Sequence, residues 1–488
     1  MRKHFVQNLL FLILVNLIVK PLWIMGIDRT VQNTVGNTVY GTYYAIFNFT
    51  LIFQVLLDFG LQSYNNQTVS KAPQAMRNLF PNIVVAKLIL SVIYLAIVFI
   101  LGLIWGFVQQ DFILLSILAL LQIASSFLLF FRSNISALQR FKTDSIFSVL
   151  DRFIVIAIVS LLLFLPQIKA HFKIEYFALA QLLAFSIALI AAFKVCTRLN
   201  TIHWHHIHLR KVRLVLKRSI PYALLVFLMG IYMRSDVVLL DKLAEEGVAG
   251  KYAAAFRLLD VSNNMSGVLL AGLLLPLFGK MIAQKEAFQS ILRLSVNLLL
   301  PASWGLVLIT LFWGEQIFTG LYKEVTTQDT PILQWLMLCL PMYAINYIYS
   351  TLLTANGSIK ILVRISLVAV VLNVGLNLYG IYTSGADAAI FTARNAFITL
   401  LFTSICNIWF GRKIMQLRFD PKWIARLLAF AGLSFAAAYG ITQVASGWSM
   451  WLQITATAGL SLMIYLLCGI ISFKELQTPL KRFSSPHN

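Results

Sequence analysis

Fourteen apolar stretches, each about as long as a bilayer crossing, fill this chain and leave little else. They cover residues 5–26, 38–64, 80–107, 112–135, 146–166, 175–196, 217–241, 248–278, 288–313, 331–353, 361–382, 387–410, 424–444 and 450–472. A hydrocarbon core about 30 Å thick takes roughly 20 apolar residues of helix. Only 12% of the residues are charged and 59% are hydrophobic, against about 25% charged in a soluble domain. The 488 residues therefore hold spans and short connections, with no room for a separate catalytic domain. The chain reads as an all-α polytopic membrane protein of about 14 transmembrane helices, arranged as two parallel six-helix lobes plus two C-terminal helices. Arg2, Lys3 and His4 before the first stretch resemble the start of a signal peptide. That stretch lacks a small-residue cleavage site and runs through Lys20 and Pro21 to Gly26, so it is expected to be retained.

Basic residues give the orientation. With the N-terminus inside, the inner loops and ends hold 27 of the 39 Lys and Arg. The outer loops hold only Arg29, Lys169, Lys173, Lys242, Lys251 and Lys323. This asymmetry follows the positive-inside rule and puts both termini in the cytoplasm. The net charge of +21 is thus a statement about topology, and a nucleic-acid partner is not expected. Cys196, Cys339, Cys406 and Cys468 lie within spans or at their inner ends, without a C-x-x-C pair, so no disulfide or redox role is expected.

The chain also repeats itself. Gly41–Phe47 (GTYYAIF) and Gly250–Phe256 (GKYAAAF) share the pattern G-x-Y-x-A-x-F, and each opens the second span of its half. The offset of 209 residues superposes span 1 on span 7, giving two six-span copies of the same orientation. In parallel-repeat carriers the substrate site lies between the copies, which rock against each other. The expected divisions are 1–196 for the first lobe, 197–216 for a cytoplasmic amphipathic linker, 217–411 for the second lobe, and 412–488 for the terminal pair and tail. The linker holds His203, His205, His206 and His208. A metal site there is conceivable from spacing, but Trp204, Ile207, Arg210, Lys211 and Arg213 favour a segment lying on the inner leaflet.

Charges inside spans are costly and tend to face a polar cavity or a partner. Lys20, Arg234, Arg257 and Arg394 sit at one depth, roughly 10–14 Å below the outer surface by helical rise. They form a candidate cationic, substrate-binding layer shared by both lobes, relieved by Asp236 and Asp260, which are candidates for ion coupling or pairing. A second layer near the cytoplasm, Asp58, Lys87, Asp151 and Arg152, is balanced in charge; it is a candidate gate or a set of packing ion pairs. The bland reading, a long cation snorkelling to the headgroups, applies most to Lys20 and Lys87. A cationic cavity suits an anionic cargo, and arginine suits phosphate. Ser262, Asn263, Asn264, Asn373 and Asn377 suit either sugar hydroxyls or bonds between helices. Pro21, Pro301 and Pro341 interrupt spans 1, 9 and 10 and allow bending.

The segment VYGTYYAIFNFTLIFQVLLDFGLQ (Val39–Gln62), the stretch from Gly250 to Phe278 with Pro276, and LQRF (Leu138–Phe141) resemble polysaccharide (O-antigen and capsule) flippases of the multidrug/oligosaccharidyl-lipid/polysaccharide exporter superfamily. The resemblance implies two six-helix lobes, alternating access and a polyprenyl-diphosphate-linked oligosaccharide as cargo. It places Lys20 and Arg257 where the lipid II branch carries cavity cations, and spans 13–14 where that branch has a tail groove. The richer arginine set of that branch in span 1 is missing, which favours an oligosaccharide-lipid flippase over a lipid II flippase. Fourteen spans and a cationic layer argue against a multidrug or cation antiporter. A membrane glycan polymerase or ligase is disfavoured, because the longest outer loop, about residues 314–330, offers Glu315, Glu324 and Asp329 without His or Arg beside them. The expectation is a monomeric, non-enzymatic carrier in the bacterial cytoplasmic membrane. It would need no cofactor beyond a coupling proton or Na⁺, with membrane lipids and glycan polymerases as further partners.

Overall fold

In hydrocarbon a backbone group has no water to bond, so each segment must satisfy its own N–H and C=O groups. Helices do this, and the described residues contain no strand. A computed structural model of the chain describes residues 18–19, 21–138, 140–199, 209–266, 274–275, 277–279, 281–282, 289–417 and 420–470. A π-helical segment, Leu22–Asp28, follows Pro21 and leads into α1 (Arg29–Val35) and α2 (Asn37–Ile52). After α3 (Leu61–Lys71) come the long helices α4 (Met76–Trp105), α5 (Gln109–Ala137), α6 (Phe141–Phe164) and α7 (Ile174–Leu199). Then follow α8 (Leu209–Leu243), α9 (Val248–Ser266), α10 (Gln289–Leu321), α11 (Thr330–Ala355), α12 (Ile359–Ser384) and α13 (Ala388–Met415). The described chain closes with α14 (Pro421–Val444) and α15 (Met450–Leu467).

Eleven stretches among the described residues are long and apolar enough to cross a membrane, and one of them, Ile359–Met415, contains both α12 and α13. Twelve of the expected crossings are therefore accounted for. The other two, at 5–26 and 248–278, extend into residues outside the described set. Mid-helix side chains such as Val92, Val371 and Leu428, each 68% exposed, point away from the protein. Their natural surroundings are acyl chains, and the protein is a multi-pass membrane protein.

One expected span is interrupted. The sequence pattern suggests a continuous helix over 38–64, but α2 tightens into a 3₁₀ turn, Phe53–Leu57, and stops. Phe59 and Gly60 take left-handed backbone angles, φ 44° and 81°. Asp58 then accepts from the Gly60 and Gln62 amides at 3.1 and 3.2 Å, which starts α3 afresh. An acidic side chain that accepts from the first amides of α3, and a left-handed glycine at its N-cap, outweigh the apolar run.

The chain forms two compact units, Met1–Ala254 with Ser366–Thr392, and Ala255–Ile365 with Ala393–Asn488. In the first, α5 and α7 pack over a core in which Phe80 lies 5.4 and 5.5 Å from Phe130 and Phe131, ring centre to ring centre. In the same unit α2 runs along α8, so the second helix of one repeat meets the first helix of the other. Gly41 and Gly250, the glycines of the shared motif, lie against each other where α2 meets the start of α9. A Cβ on Gly41 would fall 2.7 Å from the Gly250 nitrogen, and one on Gly250 would collide with the Asn37 carbonyl. Gln32 adds a hydrogen bond to the Gly250 carbonyl at 2.9 Å. The glycines are needed for backbone approach.

In the second unit α10 and α11 form the main pair, and α14 with α15 fastens onto α10. Pro301 lies inside α10 and has no N–H to offer the Asn297 carbonyl four residues back. Tyr465 supplies the missing donor at 2.9 Å. The Asn297 side chain donates to the Ile470 carbonyl and accepts from the Trp423 indole, both at 2.7 Å. A proline-freed carbonyl and one amide thus anchor the terminal pair.

Candidate functional site

Helix α8 carries Arg234 and Asp236 two positions apart. Residues at that spacing do not share a helix face, and the two charges do not pair. Asp236 is buried, 2% exposed. One carboxylate oxygen accepts from the Tyr252 hydroxyl at 2.7 Å. The other accepts from the side-chain amides of Asn377 and Asn373 at 2.7 and 3.1 Å. Ser235 in turn donates to the Asn373 amide oxygen at 3.2 Å. Three helices, α8, α9 and α12, therefore converge on one carboxylate with neutral donors, and no ion pair among the described residues includes it.

Arg234 faces the other way, toward the first repeat. It donates to the Asn48 side-chain oxygen at 3.0 Å. Asn48 is buried on α2, and its own amide nitrogen is tied to the Tyr44 carbonyl at 2.8 Å. Among the described residues no carboxylate pairs with Arg234. One turn or two further along, Thr42 donates to Asp241 at 2.9 Å and Lys242 to the Gly106 carbonyl at 3.0 Å. Where α2 meets α8, polar contacts at Asn48 and Thr42 give way to the apolar approach of Ile52 to Gly230.

The remaining expected cations divide. Arg257 on α9, 8% exposed, Asp260 on the same helix, and Arg394 on α13 belong to the second unit. Lys20, the His203–His208 run and Pro276 lie outside the described residues. Asn373 and Asn377, read from sequence as either sugar ligands or interhelical bonds, serve Asp236. Asn263 donates to the Tyr347 hydroxyl at 3.3 Å, and Ser262 to the carbonyl of Leu258 in its own helix at 2.9 Å.

The second layer is occupied with packing. Lys87, 1% exposed, donates to Ser126 at 2.7 Å, to the Leu57 carbonyl at 2.8 Å and to Asp58 at 3.2 Å. It ties α4 and α5 to the end of the 3₁₀ turn that breaks span 2. Asp151 and Arg152 approach to 3.7 Å, and Arg152 also donates to the Ser148 carbonyl at 3.2 Å. Arg132 and Asp144 form another pair in the same lobe, at 2.9 Å.

Asn48 was not singled out by sequence, and Tyr252 only as the tyrosine of the G-x-Y-x-A-x-F motif, not as a partner of Asp236. A signal existed for the first. Asn48 stands seven residues after Gly41 and Arg257 seven after Gly250, so the two hold the same place relative to the shared motif.

Residues 5–282, more than half of the chain, match the polysaccharide biosynthesis protein family. The chain belongs to that family. No curated protein sequence matches it. Among solved structures, the chain shares its fold with the lipid II flippase MurJ in an inward closed conformation. That match has 15% identity and a TM-score of 0.67, over 97% of this chain and 99% of the other. An inward-facing multidrug resistance MATE transporter of the MOP superfamily matches at 14% identity and TM-score 0.61, over 83% of this chain and 98% of its own. The Vibrio cholerae MATE transporter VcmN in the bent form matches at 14% and 0.56, over 84% and 97%. The family member therefore has the MurJ/MATE fold.

Proposed function

We propose that this protein moves a polyprenyl-diphosphate-linked oligosaccharide from the inner to the outer leaflet of the bacterial cytoplasmic membrane by alternating access. The observation that carries the reading is Arg234, a partly buried arginine in a membrane helix, held by a neutral amide and by no described carboxylate. A cation kept in that state retains its attraction for an anionic ligand, and a guanidinium can chelate two phosphate oxygens. Arg257, Arg394 and Lys20 complete the cationic set, while the prenyl tail stays in lipid. Asp236, surrounded by hydrogen-bond donors but no cation, is the residue on which a proton or Na⁺ would couple the cycle. Asp260 is assigned to support the same layer. Asp58, Lys87, Asp151 and Arg152 stand at the cytoplasmic side and stiffen the first lobe during the movement.

Family membership in polysaccharide biosynthesis supports a glycan-bearing cargo. A second reading, lipid II as cargo, draws on the lipid II flippase whose match extends over 97% of this chain, terminal helices included. A deletion strain separates these readings. Accumulation of lipid-linked oligosaccharide on the cytoplasmic face is the expected result. Accumulation of lipid II would move the assignment to the second reading, and altered drug tolerance with normal glycan export would contradict both.

A further inference from the structure

We propose that Asn48, in the first repeat, is the positioning residue for Arg234 in the second, holding the guanidinium at the seam between the repeats in a pose that presents its remaining donors to a diphosphate. This rests on the cationic reading of Arg234 given above.

Three observations carry it. The first is orientation. The Asn48 amide nitrogen is bound to the Tyr44 carbonyl at 2.8 Å, so its oxygen is the atom aimed at α8. It accepts from one terminal nitrogen of Arg234 at 3.0 Å. An arginine has five N–H donors in a planar fork, and a single acceptor fixes the plane while leaving most of the fork for phosphate oxygens.

The second is choice of partner. A carboxylate at position 48 would neutralise the guanidinium and compete with an anionic ligand. An apolar residue would leave a long side chain free to snorkel toward the headgroups. An amide orients the cation without discharging it. The nearest acid on the same helix, Asp236, is turned to the opposite side and held by Tyr252, Asn373 and Asn377.

The third is rigidity. The Thr42–Asp241 bond at 2.9 Å joins α2 to α8 directly, and the start of α9, which follows α8, is held by the Gly41–Gly250 backbone contact with α2 and the Gln32 bond from α1 to the Gly250 carbonyl. Asn48 also holds the place after its motif that Arg257 holds after the second. That one place is thus used differently, for orienting a cation in the first half and for supplying one in the second.

The test is binding of a C55 polyprenyl diphosphate to the full-length protein in phosphatidylcholine nanodiscs, with the parent prenol as control. Asn48→Ala is expected to weaken diphosphate binding roughly tenfold, the worth of a hydrogen bond to a charged group. Asn48→Asp keeps the shape of the side chain but pairs with the guanidinium and repels the ligand, and is expected to weaken binding about a hundredfold. Prenol binding should not change in either. In the double variant Asn48→Ala/Arg234→Ala, binding should equal that of Arg234→Ala alone, because one residue acts through the other.

The outcomes separate two failures. If Arg234→Ala itself binds the diphosphate normally, the cationic reading fails and the positioning role falls with it. If Arg234→Ala is impaired while Asn48→Asp binds like the unaltered protein, positioning alone is overturned. A double variant clearly weaker than Arg234→Ala overturns it too, since Asn48 would then act independently. Asn48→Asp preserves size and the acceptor oxygen, so the test survives a folding defect in Asn48→Ala.

Discussion

Lys87 in the first repeat and Arg234 in the second are both cations inside membrane helices, yet their surroundings differ in kind. Lys87 is fully buried and meets an acid, a hydroxyl and a backbone carbonyl, all from its own repeat. Arg234 is partly exposed, meets one neutral amide, and that amide comes from the other repeat. A charge with a carboxylate partner and no solvent has its interactions used up in holding helices together. A charge with only a neutral partner keeps its field for something that arrives later. Asp236 stands on the same side of this divide as Arg234, since its three donors are all uncharged. In a membrane protein the identity of the partner therefore separates structural from functional charge better than the charge itself does.

The contrast can be broken first at Lys87. Lys87→Met keeps the length and apolar bulk but leaves Asp58 without its cation, with only the Gly60 and Gln62 amides, and removes one of the two side-chain donors to the Leu57 carbonyl. It should cost about 3 kcal/mol, near the lower limit for breaking a buried pair because Asp58 is partly exposed. Thermal unfolding in detergent should show a clear loss of stability. Arg234→Ala, by comparison, leaves the buried Asn48 oxygen without its donor and should cost less, about 1 kcal/mol. If Lys87→Met unfolds normally and fails only in transport, the division drawn here is wrong.

Gly250→Ala should have the next largest effect. Its new methyl group meets the Asn37 carbonyl, backbone against side chain, so α2 and α9 must separate. Reduced stability and a changed rate of cysteine labelling at introduced sites on α2 are expected, since the glycine is there for close approach. Wild-type behaviour in both would mean that the two helices have room to spare.

Tyr465→Phe should have the smallest effect, about 1 kcal/mol, because it removes one neutral hydrogen bond from a carbonyl that Pro301 leaves open. The terminal helices should remain docked through Asn297 and Trp423. Limited proteolysis between α13 and α14 checks this; rapid cleavage in the variant would give Tyr465 a larger role than assigned.

Much of the fold was legible in the sequence because hydropathy has one meaning in lipid: long apolar runs become helices. The G-x-Y-x-A-x-F motifs drew attention to Gly41 and Gly250, and their contact explains why those positions admit nothing larger. The break at Asp58 was hidden, since a 3₁₀ turn and an acidic cap barely disturb hydropathy. The charges within spans were legible, but their partners were not. Asp236 looked as though it relieved Arg234, and only helical geometry turns the two apart. Asn48 escaped notice, and Tyr252 was read only as part of the repeated motif, because a neutral polar side chain in a span is as often glue between helices as part of a site. Whether it serves one or the other depends on which faces meet.

The most direct measurement is flipping itself, with purified protein in liposomes carrying a polyprenyl-diphosphate oligosaccharide in one leaflet and a membrane-impermeant glycosidase reporting its appearance in the other. The unaltered protein should expose the glycan, Arg234→Ala should not, and Asp236→Asn should lose any dependence on a proton or Na⁺ gradient while remaining folded. Equal glycan exposure by the unaltered protein and Arg234→Ala would contradict a cation held in reserve for the diphosphate.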